Sequence, residues 1–177
     1  MRTVVLYAGM SLDGFIADRD GGVGWMGGQD ENADGQAAYS AFIKDVDTVV
    51  MGWNTYHQVT GELSPGAWPY GGMTTYVITH RGGTSTEAVK FTAESPCALV
   101  RRLKRKKGKT IWICGGADVV RQVMGDDLID RFQISVIPTI LGGGTRLFST
   151  LEQERKLRLL ETRSGSGIVE LLYERRA

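Results

Sequence analysis

Two cysteines and two histidines in 177 residues leave little room for metal or disulfide chemistry. Cys97 and Cys114 lack CxxC spacing, so neither a disulfide framework nor a cysteine zinc site is expected. His57 and His80 form no HxxE or HExxH pattern, and no metal is expected. An excess of charge is also missing: 21 Lys and Arg against 20 Asp and Glu leave a formal net charge of +1. No long-range field would then draw the chain to nucleic acid or an anionic membrane, and the expected partner is a small molecule. The basic stretch "RRLKRKKGK" (101–109) ends a helical pattern, where cations complement the helix dipole, and no aromatic residues interleave it. No apolar run approaches the roughly 20 residues of a membrane span. The opening "RTVVLYAGM" reads as a strand rather than a signal peptide, so a cytoplasmic location is expected.

What is present is a core and a rhythm. A 42% hydrophobic content suits one domain over 1–177, with no linker or repeat dividing it. Seven β-rich runs stand out, at 3–8, 47–52, 74–79, 110–114, 131–138, 156–163 and 168–174. Helical patterns lie between the earlier ones: "AYSAFIKD", "SPCALVRRLKRKK" with Ser95 as cap and Pro96 just inside, and "ADVVRQVM". Strand-helix-strand alternation implies parallel pairing, whereas "SGSG" (164–167) between the last two strands implies a hairpin. A mixed, mostly parallel α/β sheet follows.

Glycines punctuate the strand ends. In "WICGGADVV" (112–120) a strand stops at Gly115 and Gly116 and a helix opens, which would let a pyrophosphate approach free backbone N–H groups. A plain strand-to-helix turn explains the pair equally well. "VVMGWNTYHQV" (49–59) repeats the arrangement with Asn54 and Thr55 opening the helix, and "YVITHRG" (76–82) ends a strand in Thr79, His80 and Arg81, suited to a nucleotide phosphate or to solvent. "SLDGFIADRDGGVGWMGG" (11–28) is glycine-rich enough to serve as a mobile lid.

Taken in order with "ISVIPTILGGGTRLF", these motifs resemble the dihydrofolate reductase superfamily, and most closely its RibD C-terminal, riboflavin-biosynthesis reductase-like branch, over nearly the whole chain. The resemblance implies a three-layer α/β/α fold with an eight-stranded sheet, an antiparallel C-terminal hairpin and extended NADPH. It places Ala8 and Ile16 against the nicotinamide, and Cys114, Gly115, Gly116, Ala117, Asp118 and Val119 around the pyrophosphate, with a cis peptide between the two glycines. Gly52, Trp53, Asn54 and Thr55 would flank the other side, Thr79, His80 and Arg81 the adenosine end, and Thr145 the nicotinamide side.

Three departures from the family pattern matter. Trp53 stands where the superfamily often has an arginine, so NADH use stays open beside NADPH unless Arg81 compensates. The acid that dihydrofolate reductases place after the tryptophan loop has no unique counterpart: Asp30, Glu31 and Asp34 are candidates, Asp34 doubling as a helix cap. The substrate-phosphate signature DDPxLxxR is replaced by "HQVTGELSPGAWPYGGMTTY" (57–76). The motifs begin at residue 1, without a deaminase domain ahead of them, so a stand-alone reductase is expected. Its hydride would pass to a pterin- or pyrimidine-type substrate, as in dihydrofolate reductase or 5-amino-6-(5-phosphoribosylamino)uracil reductase. Tyr7, Trp25, Tyr39, Phe42 and Trp53 would form the apolar wall, although Tyr39 and Phe42 share a helical face and suit core packing as well. The alternative is a nucleotide-binding protein that retains the fold without reduction. The resemblance also implies a homodimer.

Overall fold

The first strand sets the frame. β1 (Val4–Ser11) carries an unbroken apolar run, as a strand covered on both faces should. In the computed structural model, which describes residues 1–30 and 37–176, it lies near the middle of an eight-stranded sheet. The neighbours are β3 (Val46–Gly52), β4 (Thr74–Ile78), β5 (Val89–Thr92), β6 (Thr110–Gly115), β7 (Arg131–Ile137), β9 (Leu157–Gly165) and β10 (Ile168–Arg175). Their order is β5-β4-β3-β6-β1-β7-β10-β9, parallel from β5 to β7, with β10 antiparallel to both β7 and β9. The remaining strands, β2 (Phe15–Ala17) and β8 (Thr145–Arg146), form a separate two-stranded ribbon.

Period-two alternation divides the core into two layers. Val4, Leu6, Val50, Ile111 and Ile113 pack with Leu99 and Val100 of α3 (Pro96–Lys104) and Val120 and Val123 of α4 (Ala117–Gly125). Tyr7, Val49, Met51 and Trp112 face the other way, toward Tyr39 and Phe42 of α1 (Ala37–Ile43). The result is the expected α/β/α sandwich. The remaining helix, α2 (Trp53–Gln58), runs directly into a π-helical turn at Val59–Leu63.

Local chemistry accounts for the element ends. Ser95 Oγ accepts the Ala98 N–H at 3.3 Å and caps α3, with Pro96 in its first turn. The basic cluster is paired along that helix, Arg101 with Asp126 at 2.7 Å, Arg102 with Glu94 at 2.7 Å and Lys104 with Asp130 at 2.8 Å. The hairpin β9–β10 turns through Ser166 and Gly167, both at positive φ, as a two-residue turn matching strand twist requires. Three strands fall outside the seven β-rich runs: β5, which has only four residues and sits at the sheet edge, and the short β2 and β8 of the ribbon.

Arg2 is 8% exposed; its Nε donates to the Lys109 carbonyl and its Nη2 to Thr48 Oγ1, each at 2.7 Å, while the same Nη2 pairs with Asp47. Arg2→Ala is expected to lower unfolding free energy by about 3 kcal/mol in urea titration. That is the low end for a buried pair, because Asp47 retains solvent contact.

Candidate active site

The strand order reverses around β1: the chain leaves it for β3, β4 and β5, returns to β6 beside it, then crosses to β7. Ligands of open α/β sheets bind at the carboxyl ends of strands where such a reversal opens a crevice. A cleft of about 640 Å³ lies there, lined by residues of β1, β2, α2, β6 and the start of α4.

Its floor is the glycine pair. Gly115 has φ +134°, a conformation that favours glycine, and the peptide joining it to Gly116 is cis, as the resemblance implied. Gly116 is the N-cap of α4 and supplies no side-chain cap, so the first-turn N–H groups have no side-chain partner at the cleft. The capped N-terminus of α3 shows the contrast. Across the cleft, a Cβ added to Gly116 would sit 3.5 Å from Thr55 Oγ1, placing that hydroxyl over the glycine pair. A Cβ added to Gly52 would meet Val119 Cγ2 at 3.4 Å and the Gly116 nitrogen at 3.8 Å, so its missing side chain lets β3 and α4 approach. Cys114, Gly115, Gly116, Ala117, Asn54 and Thr55 line the cleft. Asp118 instead accepts hydrogen bonds from Arg121 and Gln122, both at 2.6 Å, and Val119 is a core residue. Uncapped N–H groups, a close-approach backbone and neutral hydroxyl and amide side chains make a cradle for an anion.

Toward β4 the groups change character. Thr79 is buried, and its Oγ1 accepts the Arg81 N–H at 3.0 Å, ordering the turn that carries exposed His80 and Arg81. The Arg81 guanidinium lies 5.7 Å from the ring centre of Trp53, which also neighbours His57 at 6.2 Å. The opposite end is bounded by Ala8, Ile16 and Thr145. Thr145 pairs with Ala17, joining β8 to β2. Asp13 braces that corner by accepting the N–H groups of Leu141 and Gly142 at 3.1 and 2.8 Å, and the Ser11 hydroxyl, with these N–H groups, holds its carboxyl down at about 2. The glycine-rich segment is folded back on itself: Asp18 Oδ1 accepts the N–H groups of Asp20 and Gly22, and Gln58 Nε2 donates to the Gly21 carbonyl.

The aromatic candidates separate. Tyr7 lines the cleft, together with Trp112, whose Nε1 donates to the Tyr7 carbonyl at 3.0 Å. Tyr39 and Phe42 lie behind them: Phe42 is 4.8 Å from Tyr7, and Tyr39 is 5.9 Å from Trp112. Trp25 donates to the Gly22 carbonyl at 3.1 Å and stays out of the lining. Asp30 is exposed, its N–H bonded to Ser166 Oγ at 2.8 Å, and does not reach the cleft. Glu31 and Asp34 fall outside the described residues.

Several lining residues went unsignalled by the motifs, among them Tyr70, Glu62, Leu63 and Ser135. Tyr70 packs edge-on against Trp112 at 5.3 Å, and burial raises its phenol, as burial pushes the neighbouring Cys114 thiol up to about 12. Ser135 Oγ donates to Glu170 Oε1 at 2.5 Å, while Glu170 Oε2 is buried without a partner. Ser135 lines the same cleft as Tyr7; burial raises the Tyr7 phenol, the Glu170 charge raises it further, and the serine hydroxyl opposes both. A phenol and a serine thus line the cleft, and the serine is hydrogen-bonded to a carboxylate behind it. A period-two pattern could have marked Ser135 and Glu170 as sharing a face, but only their register, opposite each other on β7 and β10, joins them.

The whole chain has relatives with the same organisation. Residues 2–169 match the family model described as the RibD C-terminal domain. The uncharacterized protein YwjB of Bacillus subtilis (strain 168) is 43% identical over 175 residues, covering 98% of each chain. A crystal structure from Shewanella sp. PV-4, of a protein provisionally named for riboflavin biosynthesis, superposes with a TM-score of 0.85 at 25% identity, over 99% of both chains. Dihydrofolate reductase from Enterococcus faecalis, complexed with NADP(H) and RAB-propyl, shares the fold at TM-score 0.71 and 17% identity, over 99% of this chain and 97% of that one. The chain belongs to the RibD C-terminal domain family.

Proposed function

We propose that this protein is an NADPH-dependent reductase of a small pterin- or pyrimidine-type molecule. The observation that carries the reading is the uncapped α4 N-terminus opening behind a glycine pair into the cleft. These residues fit a dinucleotide: α4 and Thr55 would hold the pyrophosphate, Trp53 and Arg81 the adenosine end, and Ala8, Ile16 and Thr145 would border the nicotinamide. When bound, the reduced nicotinamide supplies a hydride, as the family resemblance implies.

The protein's own task is orientation and proton delivery. A C=N or C=O carbon that gains a hydride releases its π electron pair to nitrogen or oxygen, and that atom must take up one proton. We assign that donation to Tyr7, which lines the cleft with a phenol that is protonated at neutral pH. Ser135 then passes its proton to the Tyr7 oxygen, and a proton entering from solvent by way of Glu170 restores the serine.

Titration with NADPH and separately with NADH tests the cofactor. Trp112 lines the cleft and Trp53 stands beside Arg81, so saturable quenching of tryptophan fluorescence is expected. The absence of binding by either nucleotide would overturn the reading. Arg81→Ala is expected to reduce the preference for NADPH over NADH by about tenfold, the loss of one charge-assisted contact to a 2′-phosphate. An unchanged preference would move that contact elsewhere.

A second reading, nucleotide binding without reduction, draws on one observation: α1 carries no carboxylate, and Asp30 lies outside the cleft. Saturable NADPH binding without oxidation of it by any pterin or pyrimidine would favour this reading.

A further inference from the structure

We propose that the substrate is a planar ring system without a phosphate or carboxylate tail, neutral or amine-bearing; the inference rests on the reductase reading above and narrows it. The ground is the charge of the cleft. Among the described residues that line it there is no lysine or arginine, and Glu62 is the only carboxylate. Residues 31–36, "ENADGQ", contain no lysine or arginine either.

The arginines nearby are engaged elsewhere. Arg19 donates to the Gly142 carbonyl at 3.0 Å, Arg146 stacks 4.7 Å from the Phe15 ring centre, and Arg81 lies over Trp53. Arg131 and Arg163 line a different groove, of about 340 Å³, between α1 and strands β7, β9 and β10. The anion cradle of α4 would be taken by the cofactor pyrophosphate. An anionic substrate tail would then meet a carboxylate and, apart from the His57 imidazole, no side chain able to carry positive charge, which disfavours it at the short distances of a cleft.

What the cleft offers a substrate is flat apolar surface. Tyr7, Tyr70 and Trp112 line it, and Leu63 extends the lining from the π-helical turn. The segment that replaces the substrate-phosphate signature supplies Glu62, Leu63 and Tyr70. Together with His57 and Gln58 from the same segment, they bring an acid, an aliphatic, a phenol, an imidazole and an amide to the lining, and no arginine. Glu62 can accept a hydrogen bond from a ring amino group.

Two matched pairs of probes test this. One is 7,8-dihydropterin against dihydrofolate; the other is 5-amino-6-ribosylaminouracil against its 5′-phosphate. Each is titrated into the protein saturated with NADPH and into the protein alone, with binding read by calorimetry. The uncharged member of at least one pair is expected to bind about tenfold more tightly or better. Equal or tighter binding of the anionic members would overturn the proposal, as would binding of none of the four. Glu62→Arg is expected to reverse the ratio, and an unchanged ratio would remove Glu62 from the explanation. Failure of the parent reading shows separately, as lack of NADPH binding, because the pairs are also compared on the protein alone.

Discussion

Tyr7→Phe is expected to lower the rate of substrate-dependent NADPH oxidation by about a hundredfold or more, with NADPH affinity unchanged. The substitution removes one oxygen and keeps the ring, so the contacts with Phe42 and the bond from Trp112 to the residue 7 carbonyl survive. What disappears is the phenol oxygen to which the proposed mechanism assigns proton donation. A purely structural role predicts lost stability and weaker cofactor binding, both readable by thermal unfolding and fluorescence. A proton-donor role predicts a fall in kcat and a change in the pH profile. Burial raises the Tyr7 phenol above its usual value of 10.0 and the Glu170 charge raises it further, so the donor form persists into alkaline solution and is lost only as pH passes the raised value. An alkaline limb in the wild type that vanishes in Tyr7→Phe would support the assignment. Full activity in the variant would overturn it.

Ala117→Asp is expected to separate stability from binding. Ala117 is the first residue of α4 and lines the cleft beside Gly116. A carboxylate in the first turn complements the positive end of the helix and contributes about 0.3–1 kcal/mol to folding. The same charge would lie against the cofactor pyrophosphate. At an effective dielectric near 20, two like charges about 4 Å apart repel by roughly 4 kcal/mol, enough for a hundredfold loss of NADPH affinity. The expected result is an unchanged or slightly raised Tm together with lost NADPH binding. Retained affinity would mean that the pyrophosphate does not sit at α4.

The two variants probe opposite ends of the site, and the sequence exposed those ends unequally. The proposed pyrophosphate cradle is legible because it is local: a β-rich run, two glycines and a helical pattern lie within "WICGGADVV". Asp118 and Val119 belong to the same motif, yet the 3.6-residue turn points one along the helix surface and the other into the core. The proposed proton path is less legible, since Tyr7, Ser135 and Glu170 come from β1, β7 and β10. The sequence singles out Tyr7 only as part of the apolar wall, and nothing in it joins Tyr7 to Ser135 or Glu170. Sequence spacing after the tryptophan loop points to Asp30, Glu31 and Asp34, of which Asp30 lies outside the cleft and the other two outside the described residues; the carboxylate bonded to Ser135 comes from the last strand.

The sequence by itself determined the alternation of strands and helices, the caps and turns, and the parallel sheet with its closing hairpin. Each of these follows from the period of apolar residues and the backbone freedom of a few glycines and serines, which act over a handful of neighbours. The tertiary structure alone decided which side chains meet across the cleft. Strand order inserted β6 between β3 and β1, placed β10 beside β7, and let the π-helical turn bring Glu62 and Leu63 to the rim. Those contacts join residues far apart in the chain. They are fixed by how the whole core packs, and no local pattern encodes them.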